Sequence, residues 1–314
     1  MLTATQKRTA EAIVNIFETS EVRGNYGSVT VIAEDTGHLT FGRSQTTLGS
    51  GNLHDMLKQY SDNAGARFGG MLAPYLPRFL ERDVTLDTDV HLHNLLRATA
   101  DDPVMRDVQD VFFDARYWTP AARAADREGI TTPLGVTVVY DSTVHGSWTA
   151  IRNRTNAACG TVAAAGERPW ISQYVKERRA WLAGSSRADL PPTVYRMDAF
   201  QRLIELDAWS LTLPLVVRDA EISLDALSAS PRGCFEGPVP GTRVLAVQAP
   251  LQRGLDVRLV QLGLSQRGVD IRADGIFGQG CAQCVRNFQL AQGLPATGSV
   301  DAALIATLTA AVVA

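Results

Sequence analysis

The segment Glu18-Thr-Ser-Glu21-Val-Arg-Gly-Asn-Tyr26-Gly-Ser-Val-Thr-Val-Ile-Ala33-Glu34-Asp35-Thr-Gly-His38-Leu-Thr40-Phe-Gly42 switches from one backbone period to another. Just before it, residues 4–20 place Ala12, Ile13, Ile16 and Phe17 on one stripe at helical spacing, so a helix closes near Glu18. From Tyr26 to Ala33 the residues are β-branched and alternating. Asp35-Thr-Gly-His38 supplies turn residues, and Leu39-Thr-Phe41 can return as a second strand. A helix that runs straight into a small hairpin is the start of an α+β domain.

Outward from this segment the signals are mostly helical. The glycine-rich turn Leu48-Gly-Ser-Gly-Asn52 precedes a helix over Leu53–Tyr60. Helices are expected at 104–116, 119–128, 134–145, 147–158, 168–183 and 195–210, punctuated by prolines from Pro74 to the pair Pro191-Pro192. The fold class is therefore mainly α (α+β). Ser, Pro and Gly concentrate after residue 229, so we read 1–230 as a first domain, 231–248 as a linker and 249–314 as a second domain. That second domain shows three short helices, Asp256–Leu264, Cys281–Gln289 and Asp301–Leu308, joined by two glycine turns.

Composition excludes several classes. The formal net charge of -3 offers no polyanion-binding surface, so nucleic acid is not an expected partner. No apolar run approaches the roughly 18 residues of a membrane span. The first residues, Met1-Leu-Thr-Ala-Thr-Gln-Lys-Arg8, lack the apolar core of a signal peptide, so export by a phage holin or a dedicated secretion system is expected. Nucleotide-binding, zincin and serine-hydrolase motifs are missing, and no cofactor is expected. His91-Leu-His93 has no companion ligands, and Cys281-Ala-Gln-Cys284 falls inside a predicted helix, where packing is its first reading; no metal site is expected.

Glycoside hydrolysis commonly needs one protonated and one ionised carboxyl group flanking the scissile bond. Glu18 ends an apolar helix, where partial burial would hold a proton. Asp35 sits at the hairpin tip among polar neighbours that would keep it ionised. Glu21 and Glu34 are the respective rivals.

Glu18 to Gly42 resembles the helix-to-hairpin active site of the lysozyme superfamily, in which Glu is followed by Asp-x-x-x-x-Thr-x-Gly. The closer likeness is to the family-46 chitosanases. Their Glu-Asn-Ser-Ser appears as Glu18-Thr-Ser-Glu21, and their Ser-Gly-x-Gly-Asp-Met-Leu as Gly49-Ser-Gly-Asn-Leu-His-Asp55-Met-Leu57 with an insertion. Their Tyr-Asp-x-x-x-x-His-Gly appears as Tyr140-Asp141-Ser-Thr-Val-His145-Gly146, one residue shorter. The resemblance implies a lysozyme-like fold and an inverting reaction. In it Glu18 is the acid, Asp35 the base, and Thr40 a holder of the attacking water. Arg43 and Asp55 would lie along the sugar groove, with Tyr140, Asp141 and His145 a supporting polar cluster behind it. For Asp141 and His145, four apart on one helical face, a structural hydrogen bond is the first reading and substrate contact the other.

The C-terminal run resembles the three-helix peptidoglycan-binding domain. Its markers are Asp256, Val257 and Gln261, then Asp274-Gly-Ile-Phe-Gly278, then Phe288-Gln289 and Gly293-Leu294 to Gly298. Together the two resemblances imply a hydrolase cutting β-1,4 bonds of peptidoglycan at the bacterial wall, an endolysin or a delivered antibacterial toxin, working as a monomer. The alternatives are a chitosanase acting on glucosamine polymer, and a non-catalytic wall-binding protein.

Overall fold

The computed structural model describes residues 2–32, 36–43 and 45–313, the side chains of 311–313 excepted. The chain forms two compact units, Met1–Gly24 with Phe113–Ala229, and Asn25–Phe112 with Ser230–Ala314.

The first unit is helical around the helix Pro133–Val144. Leu134 through Ser142 are all buried there. A helix that is apolar on every side belongs inside a bundle, and its neighbours are the helices Ala4–Thr19, Thr119–Glu128 and Glu167–Ala183. The helix Ala4–Thr19 starts with a capping box. Gln6 N–H donates to the Thr3 hydroxyl, and Thr3 N–H donates to the Gln6 side chain. It ends where Ser20 turns left-handed (φ 60°) and donates its N–H to the Ile16 carbonyl. Between the caps, Ala12, Ile13, Ile16 and Phe17 are buried as their spacing predicts.

Within this unit a π-helical turn, Asp114–Trp118, leads into the helix Thr119–Glu128. A two-stranded antiparallel pair, β4 (Leu215–Val217) and β5 (Ala220–Ile222), lies near the end of this unit and was not expected.

The second unit holds the expected hairpin with a third strand added: β1 (Val29–Thr30), β2 (Thr40–Phe41) and β3 (Thr46–Thr47), antiparallel in that order. Val29 pairs with Phe41, and Thr40 with Thr47. Asn52–Ser61 forms the helix expected after the glycine turn. The helix Val90–Thr99, not among the expected helices, closes the core beneath the strands with Leu92, Leu95 and Leu96.

The three C-terminal helices are Leu255–Ser265, Gln279–Ala291 and Ala302–Val313. Their marker residues are turn-builders. Gln261 donates to Asp274 Oδ1 (2.9 Å) and accepts from Gly275 N–H (2.8 Å), which pins the Asp-Gly turn. Gln289 repeats the device at Gly298, accepting from its N–H and donating to the Thr297 hydroxyl and the Ser299 carbonyl. Both glycines have positive φ (73° and 75°), which is why glycine recurs there. Val257, Val260, Phe277, Val285, Ile305 and Leu308 fill the core between these helices.

Candidate active site

Glu18 stands in the last turn of the helix Ala4–Thr19. Its side chain is 40% exposed and its Oε1 accepts from Arg196 Nη2 at 2.6 Å. Partial burial is expected for this acid; in the structure the helix ends at the unit's surface, and the neighbour that comes up beneath Glu18 is an arginine. Arg196 sits in the first turn of the helix Tyr195–Glu205, with its side chain only 3% exposed. Its guanidinium lies over the Phe17 ring, 5.5 Å from the centroid. Tyr195 donates its hydroxyl to the Phe17 carbonyl (2.7 Å), which fastens this helix to the backbone just before Glu18.

Behind Arg196 lies a buried charge network. Asp141 is fully buried and takes Arg196 Nη1 on one oxygen (2.7 Å) and Arg178 Nη1 on the other (2.5 Å). Arg178, in the helix Glu167–Ala183, also donates to the Ser142 hydroxyl and lies 3.2 Å from His145 Nδ1. A buried carboxylate is tolerable only when it is paired and hydrogen-bonded, and both conditions hold here. Burial pushes the Asp141 carboxyl up, but the two guanidiniums outweigh it and hold it below the usual range. Burial works against the charge on Arg196 too, and Asp141 and Glu18 outweigh it, so its proton is held more tightly than usual. Burial, then Arg196 and Arg178, push His145 down to about 4, so it is neutral near pH 7.

Burial corrects only the substrate-contact reading of two residues: Tyr140 and Asp141 are both 0% exposed. Tyr140 packs edge-on against Phe113 and Trp118, while Asp141 reaches Glu18 only through Arg196. His145 borders the same network and is partly exposed.

The hairpin residues belong to the second unit. Thr40, on β2, is 5% exposed and donates its hydroxyl to the His38 carbonyl at 3.1 Å. Asp87 steadies the turn, accepting the Leu39 N–H at 2.8 Å, while its other oxygen lies 2.9 Å from His38 Nδ1. Asp35 and its rival Glu34 lie outside the described residues. The expected groove role of Arg43 is also corrected. Its side chain is 4% exposed, pairs with Asp110 and lies over the Tyr26 ring. Gln109 accepts the Arg43 N–H and donates to the Tyr26 carbonyl. Gly42, at φ 85°, permits this approach, because a Cβ there would fall 2.5 Å from Gln109 Oε1. Asp55 is 63% exposed on the helix Asn52–Ser61, with His54 Nδ1 3.1 Å away.

Sequence reasoning missed Arg178, Arg196, Asp87, Gln109 and Asp110. Each is set by a helix far along the chain, and nothing local marks it among the other arginines and acids. Among the described residues no cluster of three or more His, Cys, Asp or Glu is placed to hold a metal. His93 instead sets Nε2 3.0 Å from the Leu86 carbonyl. Cys281 is buried and its thiol is pushed up to about 12 by burial; Cys284 is half-buried, and both are free thiols. No described helix is long and apolar enough to cross a membrane.

Comparison with known proteins adds two family matches. Residues 12–215 match "Glycosyl hydrolase family 46", and residues 253–308 match "Putative peptidoglycan binding domain". A protein of Bacillus subtilis (strain 168) named "Chitosanase" is 28% identical over 233 residues, 69% of this chain and 83% of that one. A native chitosanase structure from Bacillus subtilis MY002 superposes with a TM-score of 0.58 at 25% identity, covering 69% of this chain and 96% of that chain. A Gynuella sunshinyii chitosanase solved with chitotetraose shares the fold, with a TM-score of 0.56 at 24% identity over 71% of this chain and 99% of that chain.

Proposed function

The chain belongs to glycosyl hydrolase family 46, and from that premise we propose that it cleaves β-1,4 bonds of a glucosamine-containing polymer, with Glu18 as the general acid. The likenesses to chitosanases weigh for this substrate over peptidoglycan cleavage, the first expectation from sequence. The observation that carries the reading is the carriage of Glu18. A half-exposed carboxyl at a helix end is held on one oxygen by an arginine that a fully buried aspartate fixes. An acid catalyst must reach substrate yet keep one orientation, and this arrangement gives both.

In the proposed mechanism Glu18 protonates the leaving glycosidic oxygen, and Asp35 activates water on the opposite face of the sugar with inversion. That assignment of Asp35, and of Thr40 as holder of the water, rests on the family resemblance. The C-terminal unit keeps the enzyme at a bacterial wall, outside the cytoplasm. Its match to a peptidoglycan-binding domain also favours a second reading, in which wall glycan itself is the substrate.

The test is a substrate panel: glucosamine hexamer, N-acetylglucosamine hexamer and isolated sacculi, with products identified by mass spectrometry. Cleavage of the glucosamine hexamer supports the proposal. Release of muropeptides alone moves the assignment to wall glycan, and no cleavage of any substrate removes catalysis.

A further inference from the structure

Residues 231–248 read as a linker, and a linker implies a module that acts by tethering, raising local substrate concentration without touching the catalytic fold. The contacts of this segment and of the helix that follows are those of a core element. Every residue of Leu255–Ser265 is buried. Val257, Val260 and Leu264 face the C-terminal core, while Leu255, Leu259 and Leu262 join Leu39, Phe41, Leu92 and Leu96 beneath the hairpin.

Two fully buried polar side chains of the hairpin lobe find their partners in the C-terminal segment. Asn94 donates to the Ile271 carbonyl (2.7 Å) and to the Ser265 hydroxyl (3.0 Å), and accepts from Ala273 N–H (2.9 Å). Asp101 accepts from Arg258 Nε (2.9 Å) and from Phe235 N–H (2.8 Å). Arg258 is itself only 4% exposed and also donates to the carbonyls of Ala273 and Gly233. Cys234 packs with Tyr26 and Ala100, and Tyr26 donates its hydroxyl to Asp110, the partner of Arg43 next to β2.

We infer that the C-terminal unit is a structural part of the lobe that carries Thr40, and that hydrolysis of short soluble substrates depends on it. A tethered module has no physical need for an asparagine and an aspartate to be buried on the other side awaiting it. With that segment undocked both would lose these partners, and Leu255, Leu259 and Leu262 would face water. Arg258 is thus a positioning residue, acting through Asp101 and the Tyr26 cluster on the hairpin.

The inference rests on the proposed glucosamine substrate only for its activity readout. A protease site is inserted after the exposed Val239 in the full chain, and the purified protein is nicked. The nicked wild type is expected to elute as one complex and to keep its kcat on glucosamine hexamer. In Arg258→Met the nicked fragments are expected to separate, with kcat down about tenfold or more from the unpaired buried Asp101. Adding Asp101→Asn should restore part of both signals, because the stranded charge is then gone. Separation of the nicked wild type, with the fragment ending at Val239 still fully active, overturns the inference. If the intact protein cleaves no glucosamine hexamer, the functional proposal falls, and co-elution still decides whether the unit is docked.

Discussion

Arg196 bridges Asp141 and Glu18, its two terminal nitrogens 2.7 Å and 2.6 Å from one oxygen of each. One end of this bridge is fully buried and the other is open to solvent. The interior charge therefore sets the direction of the surface one. Arg178 on the far side of Asp141 takes its other oxygen, so the buried carboxylate has a guanidinium on each side.

Removing the bridge should separate activity from folding. In Arg196→Ala, Asp141 keeps Arg178, but Glu18 loses its anchor. The expected loss in kcat is on the order of 10²-fold, the cost of a misplaced catalytic group. Stability should fall by about 3 kcal/mol, since a buried ion pair has lost one partner. Arg196→Lys should recover stability better than activity, because an ammonium cannot fork between two carboxylates. Steady-state kinetics and urea unfolding read the two effects apart.

The same network makes stability depend on pH. His145 is held neutral in the folded state, at about 4. In the unfolded chain it takes up a proton below about pH 6.5. Its contribution is thus fully present above pH 6.5 and is lost as pH falls toward 4. Asp141, held below the usual carboxyl range, adds a loss at more acid pH. Between pH 6.5 and 4, His145→Gln should show a flatter fall in stability than wild type by denaturant unfolding. Parallel curves would remove His145 from this role.

Gly42 should be intolerant of any side chain. Alanine there would meet Gln109 and adopt a left-handed backbone, releasing the bonds from Gln109 to Arg43 and Tyr26. Gly42→Ala is expected to cost about 1–3 kcal/mol, from strain and lost buried hydrogen bonds. Hydrogen exchange at Arg43 N–H should rise with it.

The helix-to-hairpin transition was legible because it is local. The stripe ending at Phe17 and the alternation after Tyr26 lie within a few residues of what they build. The turn chemistry of the C-terminal unit was equally plain, since each glutamine and the glycine it pins lie only 14 and 9 residues apart, within one short motif. The strand Thr46–Thr47 was missed because two threonines after a turn carry no period. The helix Val90–Thr99 hid behind aspartates and histidines, and its apolar face meets strand, helix and C-terminal leucine partners that lie far from it in sequence. Glu18 could be singled out by its place at a helix end. Its arginine could not, since Arg196 lies 178 residues away. The burial of Arg43 was likewise invisible, because Asp110 and Gln109 come from a distant helix.

Thiol chemistry should follow burial. Cys159 is exposed, whereas Cys234 and Cys281 are buried, with their thiols pushed up to about 11 and about 12 by desolvation. A maleimide at neutral pH should label Cys159 in the native protein, and label Cys234 and Cys281 only after denaturation. Native labelling of Cys281 would contradict the packing described for the C-terminal core.

The most direct test of Glu18 as the acid of an inverting glucosamine hydrolase is time-resolved NMR of the products of glucosamine hexamer. Wild type should release new reducing ends first as the α anomer. Glu18→Gln should be slower by about 10³-fold, the usual contribution of a general acid. A β anomer appearing first, or a Glu18→Gln rate equal to wild type, would contradict that assignment.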